Sequence, residues 1–255
     1  MDPISQQRFL KQLHRNIDRD FNLEVLFLGT KVGGIDFLSL YRDCMSRSGT
    51  TVPTWKTFRR AQRAFNLARY FDYALSLEGD WVECGVAGGF SAVLLANVAK
   101  SRDPKYSGRR LHLIDSFEGL SEPTVEDAIP SENQSGHLVA PYGPGHFKFS
   151  VKHLQRVMKA FPDREIYRGW IPDVFAKLPD RRWSFVHVDV DLYEPTRDCV
   201  EYFLPRLMPG GVMINDDFSS PMFPGGGRGW HECFNRSGLS YLVLDTGQAV
   251  YVAPS

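Results

Sequence analysis

From Trp55 to Leu77 the apolar positions Phe58, Ala61, Phe65, Ala68, Phe71 and Leu75 recur at steps of three and four. That spacing puts them on one face of a long amphipathic helix, and Gly79 closes the segment. Beyond it the pattern changes to short apolar runs that alternate with helix-length stretches. The runs are Trp81–Cys84, Leu111–Ile114, Glu165–Tyr167, Phe185–Val188 and Val212–Ile214. Helices are expected between them over Ser91–Lys100, Val151–Phe161, Val174–Leu178 and Glu194–Leu207. Strands apolar on both faces, joined by helical crossovers, form a parallel sheet with helices on both sides. In such an α/β fold a ligand binds beyond the carboxyl ends of the strands. Two last runs, Tyr241–Leu244 and Ala249–Val252, are separated only by the turn Asp245–Gln248, which demands an antiparallel pair. The expectation is a seven-stranded, mostly parallel sheet ending in an antiparallel hairpin.

Residues 1–54 form a preface with turn signals at Gly29, Gly33–Gly34 and Gly49 to Pro53 and only short apolar segments, Leu23–Leu28 and Phe37–Tyr41. It is expected to pack on a single core spanning 55–255. The apolar face of Trp55 to Leu77 packs either on that core's own sheet or on another subunit of a homo-oligomer. At 255 residues, with 43% hydrophobic and 24% charged, the chain is neither disordered nor fibrous. Thirty Lys and Arg balance thirty Asp and Glu, so there is no basic excess for nucleic acid and no polybasic tail for a membrane. The longest apolar stretch, Ala92 to Ala99, is broken by Asn97 and falls far short of the roughly 18 residues of a spanning helix. The start has no apolar stretch after a basic head, so a cytoplasmic location is expected. Cys44, Cys84, Cys199 and Cys233 match neither a zinc pattern nor a disulfide framework and read as reduced, buried thiols.

The segment WVECGVAGGFSAVLLA runs from strand through a glycine turn into a helix. Gly85, Gly88 and Gly89 let the backbone approach a ligand, and the new helix presents its amides there. Alone this is weak, because the spacing departs from G-x-G-x-x-G and a glycine turn is often only a packing device. Asp115, ending the next strand in LHLIDSFEGL, adds a carboxylate placed to accept ribose hydroxyls, or else a simple turn former. Glu83, just before the glycine turn, would repel a diphosphate and attract a cation. A sulfonium nucleoside, S-adenosylmethionine, therefore suits the turn better than NAD.

A second constellation gathers carboxylates at strand ends: Asp189 and Asp191 in SFVHVDVDLYEPT, Asp216 and Asp217 in GGVMINDDFSS. Converging on one sheet edge they repel unless a cation or protons intervene, and a hard divalent ion, magnesium or calcium, answers that need. The alternative is that Asp191 and Asp217 merely cap helices or turns. Residues 116–149, with four Pro and four Gly, are too long for an idle connection and read as a lid or acceptor-binding loop. In it His137 and His146 are rival bases, or else solvated side chains. The stretch SSPMFPGGGRGWHE reads as an acceptor wall with Arg228 or Trp230 against substrate, or as a flexible surface loop.

Taken in order, ECGVAGGFSA, LIDSFEGL, YRGWIPDVF, HVDVDLYEPT, PGGVMINDDF and GQAVYVA resemble the macrocin O-methyltransferase family, the TylF/MycF type that includes the NovP sugar methyltransferases. The resemblance runs from about residue 55 to the C-terminus. It implies a class I methyltransferase fold, S-adenosylmethionine as donor, a bound Mg2+ and a small-molecule hydroxyl acceptor, usually a deoxysugar of a natural product. It places the metal on Asp189, Asp216 and Asp217 and makes Asp191 the candidate base, to which His137 of the loop 116–149 is the rival read from the sequence itself. Glu83, Gly85, Gly88, Asp115 and Ser116 fall at the cofactor, with the Gly169–Trp170 turn near its adenine or methionine end. The chain departs from the family's usual pattern at Val190 and His187, where Gly and Arg are common. A catechol, carboxylate or amine acceptor, a nicotinamide-dependent oxidoreductase and a non-catalytic nucleoside-binding homologue are the alternatives.

Overall fold

The computed structural model describes residues 23–51, 57–130, 138–139 and 142–255. Seven strands make the central sheet: β1 (Asp80–Cys84), β2 (Leu111–Asp115), β3 (Glu165–Arg168), β4 (Trp183–Val188), β5 (Leu207–Asn215), β6 (Leu242–Val243) and β7 (Ala249–Val252). They lie in the order β3-β2-β1-β4-β5-β7-β6. Strands β1 to β5 run parallel, and β7 is antiparallel to both β5 and β6. The chain moves outward one way through β1, β2 and β3, then returns to place β4 on the other side of β1. The order therefore reverses between β1 and β4, which opens a crevice beyond their carboxyl ends.

The helices are α1 (Leu23–Leu26), α2 (Phe37–Ser48), α3 (Thr57–Ala74), α4 (Phe90–Arg102), α5 (Val151–Val157), α6 (Tyr193–Phe203) and α7 (Pro224–Ser237). One sheet face, carrying Trp81, Leu113, Phe185 and Ile214, shares a core with α2, α3 and α4. The other, carrying Val82, Val186 and Met213, shares a core with α6 and α7. All positions of β4 are buried, as expected of a strand covered on both faces. The apolar face of α3 packs on its own sheet: Ala61, Leu67, Ala68 and Phe71 are buried, and the Phe71 ring stands edge-on to Trp81 (4.8 Å) and Phe185 (5.2 Å). Each such buried large side chain contributes roughly 1.5–3 kcal/mol. Among the described residues no helix is long and apolar enough to cross a membrane.

Some segments differ from the sequence expectation. The Val151–Phe161 helix stops at Val157, and Val174–Leu178 is a short 3-10 turn over Asp173–Lys177. Phe37–Tyr41 is the first part of α2, because Cys44 and Ser48 continue the buried stripe and the Asp36 carboxylate caps the start by accepting from Ser39 N at 2.8 Å. Another is α7, read from sequence as an acceptor wall or flexible loop. A methyl on Gly225 would overlap the Asp127 carboxylate, one on Gly227 the Phe218 carbonyl, and one on Gly229 would lie 2.7 Å from the Tyr193 carbonyl. These glycines serve close packing. Their cost in helix propensity, roughly 1 kcal/mol each, is offset by Trp230 and Phe234, both fully buried and stacked at 4.7 Å. Trp230 is thus core and does not line the strand-end cleft; Arg228 is exposed and donates to the Glu126 carbonyl.

Buried Asp127 ties the connection after β2 to this region, accepting from Thr124 N and from Tyr193 N, the first amide of α6, both at 2.8 Å. All four cysteines are free and buried, and burial pushes the Cys44 thiol up to about 12. Native protein at pH 8 is therefore expected to give no fast reaction with a thiol reagent, and four equivalents in denaturant; a fast native equivalent would contradict this packing.

Candidate active site

Beyond the carboxyl ends of β1, β2 and β4 lies a cleft of about 620 Å³, counting its open mouth. After β1 the chain is stitched to both neighbours: Gly85 N donates to the Ile114 carbonyl and Asp189 N to the Cys84 carbonyl, each at 2.9 Å. Gly85 sits at φ +85°, and a side chain there would overlap the Asp189 carbonyl. Only glycine lets the chain turn in that gap.

Of the expected cofactor residues, Gly85, Asp115, Ser116, Gly169 and Trp170 line the cleft. The Asp115 carboxylate accepts from Ala87 N (2.9 Å) and Phe117 N (2.6 Å), so it organises the turns after β1 and β2 while its outer edge faces the cleft. The Ser116 hydroxyl donates to the Gly119 carbonyl, and Gly169 N donates to the Asp115 carbonyl at 3.1 Å. The Trp170 ring is 42% exposed, an aromatic face open to a ligand. Glu83 and Gly88 do not line the cleft. Gly88 lies beneath the Phe149 ring. Glu83 is fully buried, because its place on β1 turns it toward α4 and opposite His187 on β4. There it accepts from the Ser91 hydroxyl and lies 3.3 Å from His187 Nδ1. The ionisable groups at the cleft are instead the carboxyls of Asp115, Asp189 and Asp191, and among the described residues its lining contains no Lys, Arg or His.

The four strand-end carboxylates do converge. Asp189, Asp216 and His187 each offer a ligand atom within 4.8 Å of the others. Asp217 stands outside that set, with Oδ1 turned to Arg63 Nη2 at 3.4 Å. Burial, Asp216 and Asp217 together hold the Asp189 carboxyl well above the ordinary carboxylate range. Asp191 is raised in the same way, by burial and by Asp217 and Asp189. At Asp216 burial acts upward too, but Arg63 and His187 overcome it and keep this group ionised. Burial pushes the His187 imidazole down, yet the carboxylates of Asp216 and Glu83 win and raise it. Two buried atoms of the cluster, His187 Nε2 and Asp217 Oδ2, have no hydrogen-bond partner among the described residues. Converging carboxyl groups that burial and mutual repulsion make costly to ionise, together with unsatisfied buried atoms, fit a hard divalent ion that would relieve the repulsion.

Sequence reasoning missed the groups that hold this cluster. A polar stripe on α3, Arg59, Arg63 and Asn66, spaced by four and three, faces the ends of β5 and β7. Arg59 donates to the Thr246 carbonyl, Asn66 to the Thr246 hydroxyl, and Arg63 to Asp216. Gln248, fully buried, donates to Asp216 Oδ1 at 2.7 Å. Asn215 fixes the acidic turn by accepting from Asp217 N (2.9 Å) and donating to the Gly226 carbonyl (3.1 Å). The spacing of the α3 stripe was the available signal. Of the rival bases, His146 packs on the Tyr142 ring at 5.2 Å and does not line the cleft; His137 lies outside the described residues. Phe147 does line it, resting against Tyr142 and Phe223.

Residues 59–232 match the family described as Macrocin-O-methyltransferase (TylF). The chain belongs to this family. The TylF match spans the site from Arg63 to Asp217 and leaves Gln248 beyond its end. One curated relative, the 8-demethyl-8-(2,3-dimethoxy-alpha-L-rhamnosyl)-tetracenomycin-C 4'-O-methyltransferase of Streptomyces olivaceus, is 32% identical over 146 residues, 55% of this chain. The alignment spans 53% of that relative, about half its length. The mycinamicin III 3''-O-methyltransferase of Micromonospora griseorubida is 26% identical over 228 residues, 87% of this chain and 88% of the relative. In three dimensions the O-methyltransferase NovP superposes with a TM-score of 0.62 at 19% identity, covering 76% of this chain and 81% of NovP. That likeness shows that TylF-family chain and neighbour share the class I methyltransferase fold.

Proposed function

We propose that this TylF-family chain is an S-adenosylmethionine-dependent O-methyltransferase that methylates a hydroxyl of a small molecule, a sugar of a natural product, with the help of Mg2+. The observation that carries the reading is the cleft itself. It lies at the switch point of the sheet and, among the described residues, is lined by three carboxyl groups and no cationic side chain that would hold a diphosphate, which supports a sulfonium nucleoside. The two relatives named above are O-methyltransferases whose names specify rhamnosyl-tetracenomycin and mycinamicin acceptors, which supports a glycosylated acceptor here.

S-adenosylmethionine, when bound, supplies an electrophilic methyl on a sulfonium leaving group. The protein must then hold an acceptor oxygen in line with that methyl, and positioning of this kind supplies roughly 7–11 kcal/mol. Asp115 and Ser116 would receive the ribose, with the exposed Trp170 face against the base. Asp189 and Asp216, with the unpartnered Asp217 Oδ2, would hold Mg2+, whose chemistry there is Lewis-acid stabilisation of an oxygen that is gaining negative charge. Asp191 borders the cleft beside them and would take the hydroxyl proton. Its carboxyl, raised by burial and by Asp217 and Asp189, is a stronger base than an ordinary aspartate.

Calorimetric titration of chelator-treated protein tests the assignment. Micromolar affinity for S-adenosylmethionine and S-adenosylhomocysteine, and none for NAD, is expected. Binding of NAD and not of the sulfur nucleosides would overturn it.

A further inference from the structure

The positive charge on the acidic cluster comes from α3. One guanidinium nitrogen, Arg63 Nη2, touches the Asp216 carboxylate, the Asp216 carbonyl and, at 3.4 Å, Asp217 Oδ1. This is not the two-pronged pairing that Arg makes with a carboxylate when a permanent ion pair is built. A single nitrogen serves all three oxygens, while Arg63 Nε is buried with no partner among the described residues. The backbone of Arg63 is held separately: Gln248 Nε2 donates to its carbonyl at 3.3 Å and to Asp216 Oδ1 at 2.7 Å. The guanidinium can therefore leave without moving the helix, and its side chain, 28% exposed, has a way to solvent.

An ion on Asp189 and Asp216 needs the same oxygens. Asp216 has Oδ2 taken by Arg63 and Oδ1 by Gln248, with His187 Nε2 3.9 Å from Oδ1 and unpartnered. A guanidinium and a divalent cation cannot both sit on Asp216 at full strength, since like charges a few ångströms apart repel even under strong screening. We propose that Arg63 is a displaceable internal counter-ion of the divalent-cation site, a rival for Asp216 that swings away when the ion binds and so sets the ion's affinity. This rests on the reading of Asp189 and Asp216 as cation ligands. Arg63 is a positioning residue in this role: it keeps Asp216 and Asp217 aimed and compatible with folding, and hands them to the ion.

The test uses Mn2+ as the probe, with free ion read by electron paramagnetic resonance in full-length, chelator-treated protein. Arg63→Met, which keeps most of the volume and removes the charge, is expected to bind Mn2+ at least about tenfold more tightly than wild type. Saturating Mn2+ is also expected to raise the melting temperature of Arg63→Met by more than that of wild type, because the ion then supplies the counter-charge that Arg63 gave. Arg63→Lys keeps the charge on a shorter point donor, is expected to fold without the ion, and should bind about threefold more tightly than wild type. It carries the test if Arg63→Met does not fold. Asp189→Asn is expected to abolish binding in every background. If neither Arg63 variant binds more tightly than wild type while Asp189→Asn still removes binding, the rivalry is overturned and the cation site stands. If neither wild type nor the Arg63 variants bind Mn2+, the cation reading fails and the rivalry falls with it.

Discussion

Asp191→Asn is expected to lose turnover by roughly a hundred- to ten-thousand-fold, the usual contribution of a positioned base, while keeping its affinity for S-adenosylhomocysteine. Asparagine is the substitution that isolates the proton. Asp191 sits at φ +61°, in the left-handed region that Asn tolerates better than most side chains, so the backbone keeps its turn. What the variant loses is the ability to accept a proton; what it also loses is a charge that the fold resists. Burial and the neighbouring Asp217 and Asp189 make ionisation of Asp191 unfavourable. A neutral amide there relieves that repulsion, so the melting temperature is expected to stay level or rise while activity falls. Groups kept in a costly state for chemistry behave in this way. Turnover reduced by less than tenfold would remove Asp191 from the role of base. A matched loss of nucleoside affinity would instead make it a binding residue. The two outcomes are separated by measuring turnover at saturating donor alongside the calorimetric affinity.

The parts of this site that were legible in the sequence are those in which chemistry and strand end share one short string. ECGVAGG, LIDS, HVDVD and INDDF each carry a strand, its stop and a candidate site residue within a few positions, so parallel pairing alone brings Gly85, Asp115, Asp189 and Asp216 to one edge. The pairing Glu83↔His187 was equally fixed by register, but its consequence was not. Period two says that Glu83 and Cys84 point to opposite faces; it does not say which of them sees the cleft, and neither does. Arg63 was hidden for a different reason. It lies 153 residues from Asp216, on a helix whose apolar stripe explains its existence completely, and the polar stripe beside it looks like a solvated edge until the sheet is placed under it. The glycines of α7 misled because glycine in a polar, proline-flanked stretch signals freedom, whereas here each missing Cβ admits a neighbour's backbone or the Asp127 carboxylate.

Gly85→Ala carries the second large effect. Alanine at φ +85° pays for a left-handed conformation, roughly 1–3 kcal/mol, and a domain of this size loses about 2–4 °C of melting temperature for each kcal/mol. That part of the cost is common to any strained glycine, and Gly49 measures it: it sits at φ +66° at the end of α2 with nothing within 4 Å of an added Cβ. Gly85 differs in what surrounds it. Its Cβ would overlap the Asp189 carbonyl and press Val190 at 3.2 Å, so the ends of β1 and β4 must move apart. Those ends frame the cleft and carry the first of the clustered carboxylates. Gly85→Ala is therefore expected to lose nucleoside binding by at least tenfold as well as stability, whereas Gly49→Ala loses stability alone. Equal effects of both variants on nucleoside affinity would mean that the glycine turn serves the fold and not the ligand. An unchanged affinity in Gly85→Ala would mean that the crevice between β1 and β4 is not where the nucleoside sits, and the roles given to Asp115 and Trp170 would go with it.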